Sequence, residues 1–302
     1  MIDLFFTILL FITFFSLIVY SFYYKKRDIF FLLILMFLFL FAVRLNWQFS
    51  LFSIPLLLFS IVFYDKINYI QLVFLSMIGS ILMAYFLLNL FLLYEIIYLI
   101  PIAIVSIIIM CIMAVLAIFE DNLKKYLIYS NFIQLLFVLL DLTIAKFSQK
   151  ISTLGTIQIF NYTFAGLLLF LSLGILSKNN KRKNISNLQG TFYEDKLNGL
   201  FAVAASISLA GLPGMNIFVS EWFLFKASFF INPVITLFGI FIALLLFIMY
   251  FKIINVISVG DFTSQNVSVK YITYLNAAFA FICLVMGLLP QIQFFILDKV
   301  LL

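Results

Sequence analysis

Read as apolar runs separated by polar punctuation, the chain divides into ten long hydrophobic segments: 2–23, 28–43, 49–64, 69–89, 96–119, 126–145, 155–177, 199–225, 232–257 and 271–297. A helix needs about 20 apolar residues to cross a bilayer, and most of these runs reach that length. The second and third are short, and the fourth and fifth are joined through Leu90–Glu95 with little loop. The pattern predicts an all-α integral membrane protein of about ten transmembrane helices, one transmembrane domain over residues 1–302. The first run is apolar from Ile2 and is followed by Lys25, Lys26 and Arg27. A cleaved leader carries its charge first and ends in small residues, so this run is expected to be retained as the first helix.

Composition points the same way. Of 302 residues, 66% are hydrophobic and 10% charged, whereas soluble domains carry about 45–50% apolar and 25% charged residues. Forty-one Phe exceed what one water-soluble core of this size can hide, and lipid is the solvent that lets them face outward. His is absent and the two cysteines, Cys111 and Cys283, lie far apart in apolar runs. Histidine-held haem, Cys-ligated iron–sulfur clusters and tetrahedral zinc need those side chains in groups, so no cofactor is expected on this chain. The net charge of +6 is spread over short loops, which argues against nucleic acid as a partner. With ten helices, the odd-numbered loops hold most Lys and Arg, including Lys66, Lys124, Lys125, Arg182, Lys196 and Lys252; Arg44, Lys146, Lys150, Lys226 and Lys299 fall on the other side. The positive-inside rule puts the odd loops in the cytoplasm, or in the matrix of an organelle. The longest polar stretch, Lys178 to Asn198, is expected to be a surface loop. The Phe-, Ile-, Asn- and Lys-rich usage matches AT-rich coding, found in organellar genomes and in some bacteria.

Candidate chemistry concentrates in Phe201–Ser228. Its centre, Leu209-Ala-Gly-Leu-Pro-Gly214, sets Pro213 between Gly211 and Gly214 in the middle of an apolar run. Proline has no N–H to donate and clashes with the carbonyl one turn back, so a discontinuous helix is predicted at Pro213. Backbone freed at membrane depth is tolerated only inside protein or beside a hydrated cavity. Beyond the break come Glu221 and then Lys226. An acid there costs a few kcal/mol against lipid, so it is expected to face the interior and to pair or bind a proton. Lys252, near the end of a run, either snorkels to the interface or joins a buried polar axis with Glu221. Asp141 and Lys146 fall near a helix end, where solvation is expected.

Two stretches carry a resemblance. Ser208-Leu-Ala-Gly-Leu-Pro213, followed by Phe218-Val-Ser-Glu-Trp222, resembles the broken-helix segment of the proton-antiporter-like membrane subunits of respiratory complex I. Two predicted helices upstream, Glu120-Asp-Asn-Leu-Lys-Lys-Tyr-Leu-Ile-Tyr-Ser-Asn131 resembles the Asp-Leu-Lys-Arg segment of the same family, with Lys124 at its lysine. The resemblance covers residues 98–297 as an antiporter-like core and leaves 1–97 as variable N-terminal helices. It implies a shortened antiporter-like fold, most similar to chain 2 of NADH–ubiquinone oxidoreductase, with chain 4 next. It further implies a non-catalytic membrane-arm subunit that couples quinone reduction to proton translocation, redox chemistry residing elsewhere. The implied proton pathway comprises Glu221, Lys226, Lys252, Lys124 and Glu95. Glu95 is either the family's helix-five glutamate, after an internal deletion, or an interfacial loop acid. The implied partners are other membrane-arm subunits, lipids and a separate chain supplying missing N-terminal helices. The implied location is the mitochondrial inner membrane, with a bacterial or archaeal plasma membrane as the alternative. The Phe-Val-Ser-Glu-Trp wording is also similar to membrane-bound hydrogenase subunits, and the same fold serves multi-subunit cation/proton antiporters. Two departures stand out. Ala165 occupies the region of a family lysine, and the fourth predicted helix has none. These departures motivate a third reading, a degenerate scaffold subunit.

Overall fold

The computed structural model describes residues 2–23, 50–51, 53–94, 99–147, 151–177, 182–260 and 271–301. Helices dominate: α1 Ile2–Tyr23, α2 Ser53–Val62, α3 Tyr69–Leu93, α4 Leu99–Phe119, α5 Leu123–Phe147, α6 Ile151–Leu176, α7 Thr191–Glu194, α8 Lys196–Leu209, α9 Asn216–Ile231, α10 Pro233–Ser258, α11 Tyr271–Leu288 and α12 Pro290–Leu301. No strand occurs among the described residues. Six of the helices, α3 to α6, α10 and α11, are long and apolar enough to cross a membrane. The expected span 28–43 and Glu95 lie outside the described residues, and the expected span 49–64 contains only the ten-residue helix α2.

Helix starts follow local chemistry. The Asn122 side chain accepts from the N–H groups of Lys124 and Lys125, capping α5. Asn232 accepts from Val234 N–H, and Pro233 fills the first turn of α10, where a missing donor costs nothing. Asn68 N–H donates to the Gln71 side chain at the start of α3.

Burial orders the helices into a centre and a rim. The Gly155–Leu176 window of α6 is 94% buried, against 33% for α4 and for α11 and 39% for α10. Helix α6 is packed by α3, α5, α8, α9, α11 and α12, with α1 also against it. Rows of exposed Ile, Leu, Val and Phe run along α4 and α10; a helix bearing such a stripe is stable where hydrocarbon covers it.

Two helices are interrupted at depth. The run 199–225 is not one rod, since α8 stops at Leu209, residues 210–215 are non-helical and α9 starts at Asn216. Gly211 and Gly214 sit at φ 66° and 93°, a left-handed geometry that side-chain-bearing residues resist. The run 271–297 is interrupted as well. Pro290 supplies no N–H to the Met286 carbonyl four residues back, and Gln293 Nε2 donates to that carbonyl instead, at 2.7 Å. The two interruptions touch, because a Cβ placed on Gly287 would run into the Gly214 carbonyl and the Met215 backbone.

The stretch expected as a surface loop departs from that expectation in its described part. Ile185, Leu188 and Thr191 are fully buried, and the strand-like pair Leu123 N–H to Lys183 O (2.9 Å) and Ile185 N–H to Asp121 O (2.6 Å) ties it to the α4–α5 connection. Its apolar side chains close one end of the bundle.

Gly287→Ala forces a methyl group into backbone atoms and is expected to cost about 1–3 kcal/mol by overpacking. Thermal unfolding of the detergent-purified protein should register the loss as a lower midpoint.

Candidate functional site: a buried acid at the broken helix

The interruption between α8 and α9 is stitched to α6 by side chains. Asn161 and Asn216 exchange bonds, each amide Nδ2 donating to the other's main-chain carbonyl at 2.9 Å. Asn161 Nδ2 also donates to Gln293 Oε1 at 3.1 Å, and Ser208 Oγ donates to Asn216 Oδ1 at 2.5 Å. One amide cluster thus joins the central helix to both interruptions. Unpaired polar groups in a low-dielectric interior cost several kcal/mol, so this cluster is a condition of the break.

Glu221 sits one and a half turns into α9 and is 3% exposed. Its carboxylate presses against Gly211, where a Cβ would collide with Glu221 Oε2. Glycine at 211 therefore serves two ends, the left-handed turn and the space for the acid. Glu221 Oε1 has no hydrogen-bond partner. Polar groups extend from it across the bundle. Ser130 and Tyr250 hydroxyls bond at 2.7 Å. Gln158 Nε2 donates to Gln134 Oε1 at 3.0 Å. Tyr162 hydroxyl bonds Asn131, which in turn accepts from Ser80 at 2.9 Å. Tyr162 stands one turn from Ala165, so the region of the absent lysine holds a phenol and amides instead.

The lysines of the expected pathway are elsewhere. Lys226 is exposed; five residues from Glu221 it points about 140° away around the helix, so the two do not pair. Lys252 Nζ donates to the carbonyls of Ile118 and Glu120 at 2.9 and 2.5 Å, capping the C-terminus of α4 rather than joining Glu221. Lys124 Nζ donates to Tyr64 and Ile67 carbonyls at 3.1 and 2.7 Å, closing the turn after α2. Two further cations act alike: Lys146 Nζ donates to Phe91 O of α3 at 2.9 Å, and Arg182 to Leu176 O of α6 at 3.1 Å while pairing with Glu194. Terminal carbonyls lack intrahelical partners and carry the negative end of the helix dipole. That is where these charges go.

Sequence reading missed Asp141. Expected to be solvated, it is 1% exposed, and neither of its oxygens has a partner. The signal available was its spacing: Ser130, Gln134 and Asp141 share one stripe of α5. Among the described residues no group of three or more His, Cys, Asp and Glu gathers into a metal-binding cluster.

Comparison with known proteins follows this geometry. Residues 70–247, from α3 into α10, match the family described as NADH:quinone oxidoreductase/Mrp antiporter, transmembrane. The chain belongs to that family, and it is a membrane protein. Among curated relatives, it is 24% identical over 152 residues to NADH-quinone oxidoreductase subunit M of Buchnera aphidicola subsp. Baizongia pistaciae (strain Bp), covering 50% of this chain and 30% of the relative. It is 28% identical over 126 residues to a probable K(+)/H(+) antiporter component of Rhizobium meliloti (strain 1021), covering 41% and 12%. The chain therefore spans less than a third of the length of either relative. Solved structures share its fold. A chain of the membrane-bound sulfane sulfur reductase, an archaeal respiratory membrane complex, aligns with a TM-score of 0.67 at 16% identity, over 77% of this chain and 48% of that one. A chain of the Mrp complex from Dietzia sp. DQ12-45-1b gives 0.62 at 14%, over 84% and 66%. Respiratory complex I from Thermus thermophilus gives 0.61 at 15%, over 74% and 50%. The antiporter-like fold expected from the two motifs is thus present, with the broken helix inside the matched residues.

Removing the cap on α4 by Lys252→Met is expected to destabilise this family member by about 1.5–3 kcal/mol, the value of hydrogen bonds to a charged group. Thermal unfolding in detergent would show it.

Proposed function

We propose that the chain is a proton-carrying membrane-arm subunit of a proton-translocating NADH–quinone oxidoreductase, with Glu221 as the group that takes up and releases the proton. The observation that carries this reading is the Glu221 carboxyl, buried at a backbone interruption with one oxygen unpartnered. A carboxylate in such surroundings is costly unless paired or protonated, and none of the lysines Lys124, Lys226 and Lys252 pairs with it. Its stable form is the neutral acid, and each departure of the proton creates a charge that the amide and hydroxyl groups around it must bear. Proton loading and charge are thereby tied together. The chain itself performs no redox chemistry in this reading. Its partners are the other membrane-arm subunits and lipid. The relatives named above are bacterial and archaeal, which favours a prokaryotic plasma membrane over the mitochondrial inner membrane.

A second reading, a component of a multi-subunit cation/proton antiporter, is favoured by the Rhizobium relative and by the Mrp chain, which aligns over 84% of this chain. Proteins that comigrate on a native gel separate the two: electron-transfer subunits support the first, their absence beside other antiporter subunits the second.

Glu221→Gln keeps the shape and removes the exchangeable proton. The expected result is a loss of about 100-fold in proton transfer through this subunit, read as a fall in the proton-to-electron ratio of the assembled complex in vesicles. An unchanged ratio would identify the chain as a scaffold.

A further inference from the structure

Asp141 has no part in the reading given so far, yet its position is informative. It lies six residues before the end of α5 at Phe147, about 9 Å along the axis, while Glu221 lies ten residues before the end of α9 at Ile231, about 15 Å. Both helices run toward the same end of the bundle, the one where Lys146 caps α3, and α9 packs against α5. Asp141 is therefore the shallower of the two acids on that side.

The polar stripe of α5 has a gap. Ser130 and Gln134 are one turn apart, but Phe137 and Val138 fill the next turn, leaving about 10 Å of apolar helix before Asp141. Glu221 comes to this part of α5 from α9, which packs against it, near enough to Asp141 and to Tyr250 for its charge to be felt at both. Tyr250 in turn bonds Ser130. Of the unpartnered buried side-chain atoms among the described residues, Asp141 Oδ1 and Oδ2, Glu221 Oε1 and Gln134 Nε2 lie on these side chains; Gln158 Oε1, Asn161 Oδ1, Ser206 Oγ and Asn276 Oδ1 lie on others.

Two carboxylates cannot both ionise in such a setting without a cation between them. The basic side chains Lys124, Lys146, Arg182 and Lys252 are held at helix ends. With no cation and no donor at either Asp141 oxygen, both acids rest neutral, and the loss of one proton leaves a single charge on the pair at a time.

Building on the proton-carrying role of Glu221, we propose that Asp141 is its proton partner: Asp141 gives up its proton toward the end of the bundle marked by Lys146, and the Glu221 acid then refills it. In the step, the O–H bond of the Glu221 acid breaks as an O–H bond to an Asp141 oxygen forms, directly or through a water between them. Glu221 is left ionised and Asp141 neutral, so the pair keeps a charge of minus one throughout.

The test uses the assembled complex in sealed vesicles. Asp141→Asn and Glu221→Gln are each expected to lower proton transfer about 100-fold, the double variant no further, since the pair acts as a unit, and Asp141→Glu to restore most of the rate. Full transfer in Asp141→Asn with loss in Glu221→Gln would overturn the partnership while leaving the role of Glu221 intact. Full transfer in both would overturn the proposed function itself. A second readout holds if Asp141→Asn fails to assemble. Infrared difference spectra of the wild-type complex should contain two protonated carboxyl stretches, sensitive to deuterium, of which Glu221→Gln removes one and shifts the other. An unshifted second stretch in Glu221→Gln would mean two uncoupled acids, and the proposal would fall.

Discussion

Every polar group within this bundle must find its partner inside the protein, because hydrocarbon offers none. An intact helix meets that condition alone. A helix broken at Pro213 does not, and the surroundings are arranged to compensate: Asn161, Asn216, Ser208 and Gln293 form one cluster that binds the central helix to both interruptions. Helix α6 owes its deep burial to this role. Polar side chains that would be unwelcome on a lipid-facing helix, such as Gln158, Asn161 and Tyr162, are all buried on it.

Once the break is satisfied, the remaining unsatisfied groups become meaningful. Among the described residues they are few, and the acidic ones are Asp141 and Glu221. Lys124, Lys146, Arg182 and Lys252, by contrast, are drawn to the bundle ends, where helix carbonyls present partial negative charge and water is near. Charge is thus sorted by depth: the two buried acids lie in the interior, whereas these ammonium and guanidinium groups lie at the rims with the remaining described carboxylates. The separation is large enough that an interior acid is governed by protons and dipoles more than by fixed cations.

Parts of this arrangement could be read from the chain and parts could not. Helix α1 and the cores of α3 to α6, α10 and α11 follow from apolar run length, which bilayer thickness dictates. The break was legible because proline and glycine act locally, whatever packs nearby. Pro290 carried the same local signal, but the apolar run 271–297 continues through it and reads as one helix. Lys252 was ambiguous because its partners are the carbonyls of Ile118 and Glu120, more than a hundred positions away. Asp141 was misjudged for a similar reason. Six residues from a helix end it resembles an interfacial acid, and only the packing of α9 against α5 buries it. What local stereochemistry sets can be read from sequence; what neighbours decide cannot.

The contact between Gly287 and the Gly214–Met215 backbone has a mechanical consequence. Each interruption is a natural pivot, and here two pivots bear on one another with no side chain between them to cushion displacement. A tilt of α9, which carries Glu221, must be answered at once by α11 and α12, much as one gear tooth drives another. Among the described residues the two interruptions thus form one joint in the interior, and the acid rides on one of its arms.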